Sequence, residues 1–184
     1  FVNNIDIHTL TASEIFDLPE NMITEEMRSR AKTVNFGIVY GIGEFSLAKD
    51  LKISRKEAKR YIDNYLATYS GVDEYMKKIV EEGEERGYVE TLFGRRRYIP
   101  ELSSRNKQIQ AFGRRVCRNT PIQGTAADLI KIAMIRVYDT LKKQYPEAKL
   151  VLQVHDELIV EAPESQADRI AELLKNEMEN VAKL

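Results

Sequence analysis

The chain has 184 residues, 43% hydrophobic and 31% charged, which is about one domain with enough apolar material for a core. That composition excludes a disordered or collagen-like chain, and apolar runs of only a few residues exclude a spanning helix. A single cysteine, Cys117, excludes a disulfide framework or a cysteine–zinc site; with no signal peptide ahead of Phe1, a reducing cytosol is the expected compartment, and no membrane partner is expected.

In chain order, Thr24 ahead of Glu25 and Glu26 predicts a capped helix over about 25–40. Ser54-Arg55-Lys56-Glu57 has the capping-box pattern, and Ala58, Tyr61, Ile62, Tyr65 and Leu66 make an apolar stripe behind it. Gly71 is expected to separate this helix from a third, carrying Val72, Tyr75, Met76, Ile79 and Val80, which Gly83 and Gly87 would end. Tyr88 to Pro100 reads as strand, turn at Gly94, strand, stop. Two helices should follow, over about 106–117 and 125–143, the second with Ile130, Ala133, Met134, Val137 and Leu141 inward. Lys149 to Ala162 is β-like on both sides of His155-Asp156-Glu157, so that buried strands lift this triplet to a hairpin tip. An amphipathic helix after Pro163 closes the chain, using Ala167, Ile170, Leu174, Met178 and Val181. The expected fold is α+β and predominantly helical. Phe1 in place of an initiator Met, and an uncapped end at Leu184, suggest a piece of a longer protein.

The net charge of −1 hides a segregation. Arg86 to Arg118 holds nine bases against two acids, while Asp156 onward holds eight acids against three bases. The basic segment is mostly arginine, whose planar fork suits phosphate. Solvated faces are the plain alternative, and for the acidic end the better one.

Arg28, Lys32, Phe36 and Tyr40 are four apart and share one helical face. Two like charges at i and i+4 cost a few tenths of a kcal/mol, roughly, in isolation. Two cations followed by two rings nevertheless match a nucleotide's phosphates and its base and sugar. Gly37 inside that helix, at about 1 kcal/mol relative to alanine, implies a close approach or tight packing. At the hairpin tip Asp156 alone is a poor metal site, because two-metal phosphoryl transfer needs carboxylates from at least two places, about 3.5–4 Å between ions. Taken alone, each feature also fits an ordinary surface helix or turn.

Together the motifs say more. Arg28-Ser29-Arg30-Ala31-Lys32-Thr33-Val34-Asn35-Phe36-Gly37-Ile38-Val39-Tyr40-Gly41 resembles the nucleotide-binding helix of the family-A DNA polymerases, the bacterial polymerase I type. Asp6-Ile7-His8-Thr9 resembles the segment just upstream of it, and Thr91-Leu92-Phe93-Gly94-Arg95-Arg96-Arg97 the template-side hairpin. Asn119-Thr120-Pro121-Ile122-Gln123-Gly124 resembles the primer–template contact motif, and Gln153-Val154-His155-Asp156-Glu157 the palm hairpin. These five motifs stand in the family's order and span nearly the whole chain.

The resemblance implies fingers over residues 1–118, including the hairpin at about 88–99, and the C-terminal part of a palm over 119–184. It implies template-directed addition of dNTP to a primer 3′ end with two Mg²⁺ ions, in bacterial cytosol or a phage-infected cell. Arg28, Lys32 and His8 would hold the triphosphate, with Lys32 also the proton donor to pyrophosphate. Phe36 would pack on the nucleotide and Tyr40 at the template position. Arg95, Arg96, Arg97, Arg115, Asn119, Gln123 and His155 would contact DNA. Asp156 would bind metal, with Glu157 an auxiliary carboxylate. The family's other metal-binding aspartate, in an Asp-Tyr-Ser-type motif, has no match here. The isolated chain is therefore expected to be inactive without its partners, the thumb and the upstream palm. Two alternatives stay open: a non-catalytic nucleic-acid-binding module, and a fragment of a single-subunit RNA polymerase, whose similar histidine–aspartate turn continues with Ser where Glu157 stands.

Overall fold

Side-chain caps set where the first helices begin. In a computed structural model describing residues 6–183, Asp6 accepts the His8 amide at 3.0 Å and opens α1 (Ile7–Phe16). Thr24 accepts the Met27 amide at 3.3 Å ahead of α2 (Glu25–Val39), as expected. Ser54 accepts the Glu57 amide at 3.2 Å ahead of α4 (Arg55–Thr68), which follows α3 (Glu44–Leu51). The end of α2 is as well defined as its start. Gly41 takes φ 76°, its amide bonds to the Ile38 carbonyl at 2.8 Å, and the Ile42 amide bonds to the Gly37 carbonyl at 2.7 Å. This paired closure needs a left-handed residue just past the helix, which glycine supplies without strain. Ile42 is thereby folded back so tightly that a Cβ on Gly37 would lie 2.8 Å from its Cγ2, the close approach the sequence implied.

The chain divides into two compact units, one comprising residues up to 89 with 98–119, the other 90–97 with 120–184. In the first unit Ala12, Ile15, Ala31, Val34, Ile38, Leu47, Ala58, Tyr61 and Tyr65 form a core from α1 to α4, joined by Met76 of α5 (Ser70–Arg86). A second cluster gathers Val80, Val89, Ile99, Leu102 and Cys117. Two glycine expectations fail here. Gly71 lies inside α5, and the break from α4 falls instead at Tyr69. Gly83 does not end α5, which runs on to Gly87 at φ 75°. It is buried against Cys117 and Val89, where a Cβ would stand 2.8 Å from the Cys117 sulfur. Tyr75 is 42% exposed and so lies off the expected stripe.

Strands β1 (Tyr88–Glu90) and β2 (Arg96–Tyr98) form the expected hairpin, its tip turning at Gly94 with φ 78°. The two helices expected next are one, α6 (Lys107–Gln144), which contains Pro121 and contributes to both units. Proline removes one donor and crowds the preceding turn, yet the helix runs through Pro121. At this point the Thr125 hydroxyl donates to the Pro121 carbonyl at 2.5 Å, supporting the backbone just past the proline.

In the second unit β3 (Lys149–Val154) pairs antiparallel with β4 (Glu157–Glu161). Val151 is an extra residue between Leu150, opposite Val160, and Leu152, opposite Ile159. Leu150, Leu158 and Val160 pack on a core of Val137, Leu141, Ala148 and Ile170, the last from α7 (Ala167–Glu179). The expectation of buried strands is met only in part, since Leu150, Leu158 and Val160 are half-buried and no residue of either strand is fully buried. Val151, Leu152, Val154 and Ile159 are exposed, because a two-stranded sheet covered on one side leaves the other open. No helix among the described residues is long and apolar enough to cross a membrane.

Candidate functional site

The exposed face of α2 carries the set read from the sequence. Lys32 Nζ lies 6.0 Å from the centroid of the Phe36 ring, and Phe36 stacks toward Tyr40 at 6.2 Å with 20° between planes. His8 of α1 approaches from the side, 5.7 Å from the Phe36 centroid. Phe36 and Tyr40 are 45% and 39% exposed, unusual for rings that merely complete a core. A groove of about 380 Å³ beside them is lined by Ser29, Lys32, Thr33, Phe36, Gly37, Ile42 and Asp50.

Three supporting residues lay outside the sequence reading of this face. Asp6 accepts the Arg28 Nε–H at 2.6 Å, and that guanidinium holds its carboxyl well below the usual carboxylate range. Arg28 therefore carries a counter-charge already. Buried Asn35 accepts the Thr11 hydroxyl at 3.0 Å and donates its amide to His8 Nδ1 at 2.9 Å. With Nδ1 accepting, the His8 proton sits on Nε2, and the ring offers one N–H donor while neutral. Burial is the first cause that lowers the His8 pKa; Arg28 and Lys32 push the same way and Asp6 opposes them. A polar Asn35 at a core-facing position was the available signal; its partners are too far along the chain to be read.

The arginine hairpin differs more from expectation. Arg95 Nε donates to Asp128 at 2.5 Å, Arg96 Nε to Glu90 at 2.8 Å, and Arg114 Nε to Glu84 at 2.9 Å. The local excess of positive charge is thus smaller than the count between Arg86 and Arg118 suggests, since Glu84 and Asp128 lie outside that stretch. Arg97 is exposed and has no ion-pair partner among the described residues. Arg115 lies over the Phe112 ring at 5.8 Å. Asn119 keeps a buried side-chain oxygen with no hydrogen-bond partner among the described residues, and Gln123 is exposed. Asp128 was missed; an acid set between Ala126-Ala127 and Leu129-Ile130 was its one sequence signal.

At the other hairpin His155 and Asp156 form the turn, and Glu157 begins β4 opposite Val154. His155 holds φ 52°, uncommon for a residue with a Cβ, and Gln153 donates to its carbonyl at 2.6 Å. All three residues of the triplet are exposed. No three His, Cys, Asp or Glu among the described residues cluster as a metal site.

The described residues thus carry three features together in one chain: a helix face with a cation beside exposed rings, an arginine hairpin and an acid-tipped turn. The model for DNA polymerase family A matches residues 1–184, and the chain belongs to that family. The RNA polymerase alternative falls with that match. The chain is 49% identical over 184 residues to DNA polymerase I of Caldicellulosiruptor bescii and 50% identical over 184 residues to that of Bacillus subtilis. All of this chain aligns in both, yet it spans only 22% and 21% of their lengths. A solved structure of the POL domain of Pol1 from M. smegmatis, in complex with DNA primer-template and dNTP, matches with a TM-score of 0.91 at 39% identity. That match covers 99% of this chain and 32% of the other.

Proposed function

We propose that residues 1–118 are the fingers and 119–184 the C-terminal part of the palm of a longer DNA polymerase, which adds dNTPs to a primer 3′ end on a DNA template. The α2 face carries this reading: two cations and two exposed rings on one side of a helix, within a chain matched along its full length to family A. Lys32 and Arg28 hold the incoming triphosphate, Arg28 through its terminal nitrogens because Asp6 takes Nε. His8 adds a neutral N–H donor from Nε2. Phe36 packs on the nucleotide's sugar and base, and Tyr40 on the template position. Lys32 also protonates the pyrophosphate leaving group, where negative charge accumulates.

Arg97, Arg115, Asn119, Gln123 and His155 contact primer–template DNA, as do Arg95 and Arg96 within their ion pairs. The family generally uses divalent metals, here taken as Mg²⁺. Asp156 fits as one ligand, with Glu157 auxiliary, and the rest of the longer polypeptide (thumb and upstream palm) completes the set. Two such ions, when bound, activate the primer oxygen and neutralise charge on the phosphates. Alone, the chain supplies too few carboxylates for that chemistry, and its expected behaviour is to bind nucleic acid without extending it. The setting that goes with this reading is the bacterial cytosol.

Primer extension by the longer polymerase tests the reading. Asp156→Ala should abolish extension while duplex binding persists. Extension at the unsubstituted rate would overturn it.

A further inference from the structure

The tip of the arginine hairpin is seated on α6 by a buried acid that has no part in the reading above. Asp128 has a side chain 4% exposed. One of its oxygens accepts the Thr91 hydroxyl at 2.7 Å and the other the Arg95 Nε–H at 2.5 Å. The same Thr91 oxygen accepts the Phe93 amide at 3.3 Å and the Arg95 amide at 3.1 Å, so one hydroxyl closes the turn from within. One helical turn earlier, Thr125 accepts the Leu92 amide at 3.0 Å. Gly124 makes room for the seat, since a Cβ there would stand 2.6 Å from the Thr91 methyl.

The pairing is asymmetric. Arg95 is 60% exposed and could be satisfied by water, whereas the carboxylate of Asp128 is buried and could not. Its charge is maintained inside the protein by a partner at the surface. A neutral residue would fill the same space without that requirement, so the charge needs a reason beyond packing. Fixing Arg95 by Nε leaves the far edge of its guanidinium directed by the seat. It also fixes the start of β2, which carries Arg96 and Arg97.

We propose that Asp128 is a positioning residue for nucleic-acid binding: from within α6 it aims the arginine hairpin at the phosphates of the primer–template duplex, itself touching no DNA. The proposal rests on the reading that this hairpin grips the DNA backbone. It predicts a sign that simple electrostatics reverses. Removing a negative charge beside a basic hairpin should tighten binding to a polyanion; removing the aim should weaken it.

The experiment uses the longer polymerase with Asp128→Asn, Thr91→Val and Arg97→Ala. Duplex affinity is measured by anisotropy over a salt series, together with single-turnover incorporation and thermal melting. Asp128→Asn should weaken duplex binding about fivefold, a loss read in affinity and not in the rate at saturating duplex or the KM for dNTP. Thr91→Val alters no charge and should lose affinity in the same direction, which keeps the test decisive if Asp128→Asn folds poorly. Arg97→Ala should weaken binding and flatten the salt dependence. Unchanged or tighter binding by Asp128→Asn and Thr91→Val, beside a weakened Arg97→Ala, would overturn the positioning role and leave the hairpin's grip standing. Full affinity in Arg97→Ala would overturn the grip itself, and the proposal with it.

Discussion

His8 accepts a hydrogen bond from Asn35 at Nδ1, so a second ring proton would point at an amide that is itself a donor. Burial and the cations Arg28 and Lys32 act in the same direction. The folded-state pKa therefore lies below the ordinary value near 6.5. For a base depressed in this way, the neutral form favours the fold. Its stabilising effect is complete above about pH 6.5 and declines as pH falls below it, because the unfolded chain takes up the proton first. An NMR titration of the His8 ring should give a midpoint under 6.5. A midpoint at or above that value would contradict the Asn35 contact. The face of α2 was legible because its members are four residues apart, a spacing that local geometry alone converts into adjacency. Asp6, Asn35 and Asp128 were not, because their partners lie 22, 27 and 33 residues away in sequence. No local period links such pairs; packing of whole elements brings them together.

At the scale of elements, the starts of α2 and α4 were read correctly, and Gly71 and Gly83 were not. Thr24 and Ser54 act on amides three residues ahead, inside any reading window. Gly83 looks like a terminator in sequence, yet α5 passes through it, since its role is set by Cys117 on another element. Replacing an exposed helical glycine with alanine usually gains up to about 1 kcal/mol. At Gly83 the new Cβ would meet the Cys117 sulfur at 2.8 Å and Val89 Cγ1 at 3.3 Å, and the packing term should win. Gly83→Ala is expected to cost about 1–3 kcal/mol in equilibrium denaturation. The added Cys117→Ala, which removes that sulfur, should recover part of the loss; a stabilised single variant would contradict the packing account. Pro121 teaches the same lesson in reverse. A strong local breaker sits inside α6, and no local rule foretells a continuous helix there.

For the whole molecule, the predominantly helical α+β fold followed from periodicity and caps, whereas the family could be read only from motifs in order. The exposed apolar face of β3 and β4 escaped the reading because a short apolar run does not say whether one side or both are covered. The charge count erred for a similar reason: it summed along a segment, while Arg95 and Arg114 are balanced by acids from outside it. The central claim is that the α2 face binds and activates the incoming nucleotide in the longer polymerase. It is tested most directly by single-turnover incorporation with Lys32→Ala on a fixed primer–template, reading both the maximal rate and the dNTP concentration at half-maximum. The account predicts a rate lower by about a hundredfold or more, with weaker dNTP binding and unchanged duplex affinity. Incorporation at the unsubstituted rate and dNTP concentration would contradict it.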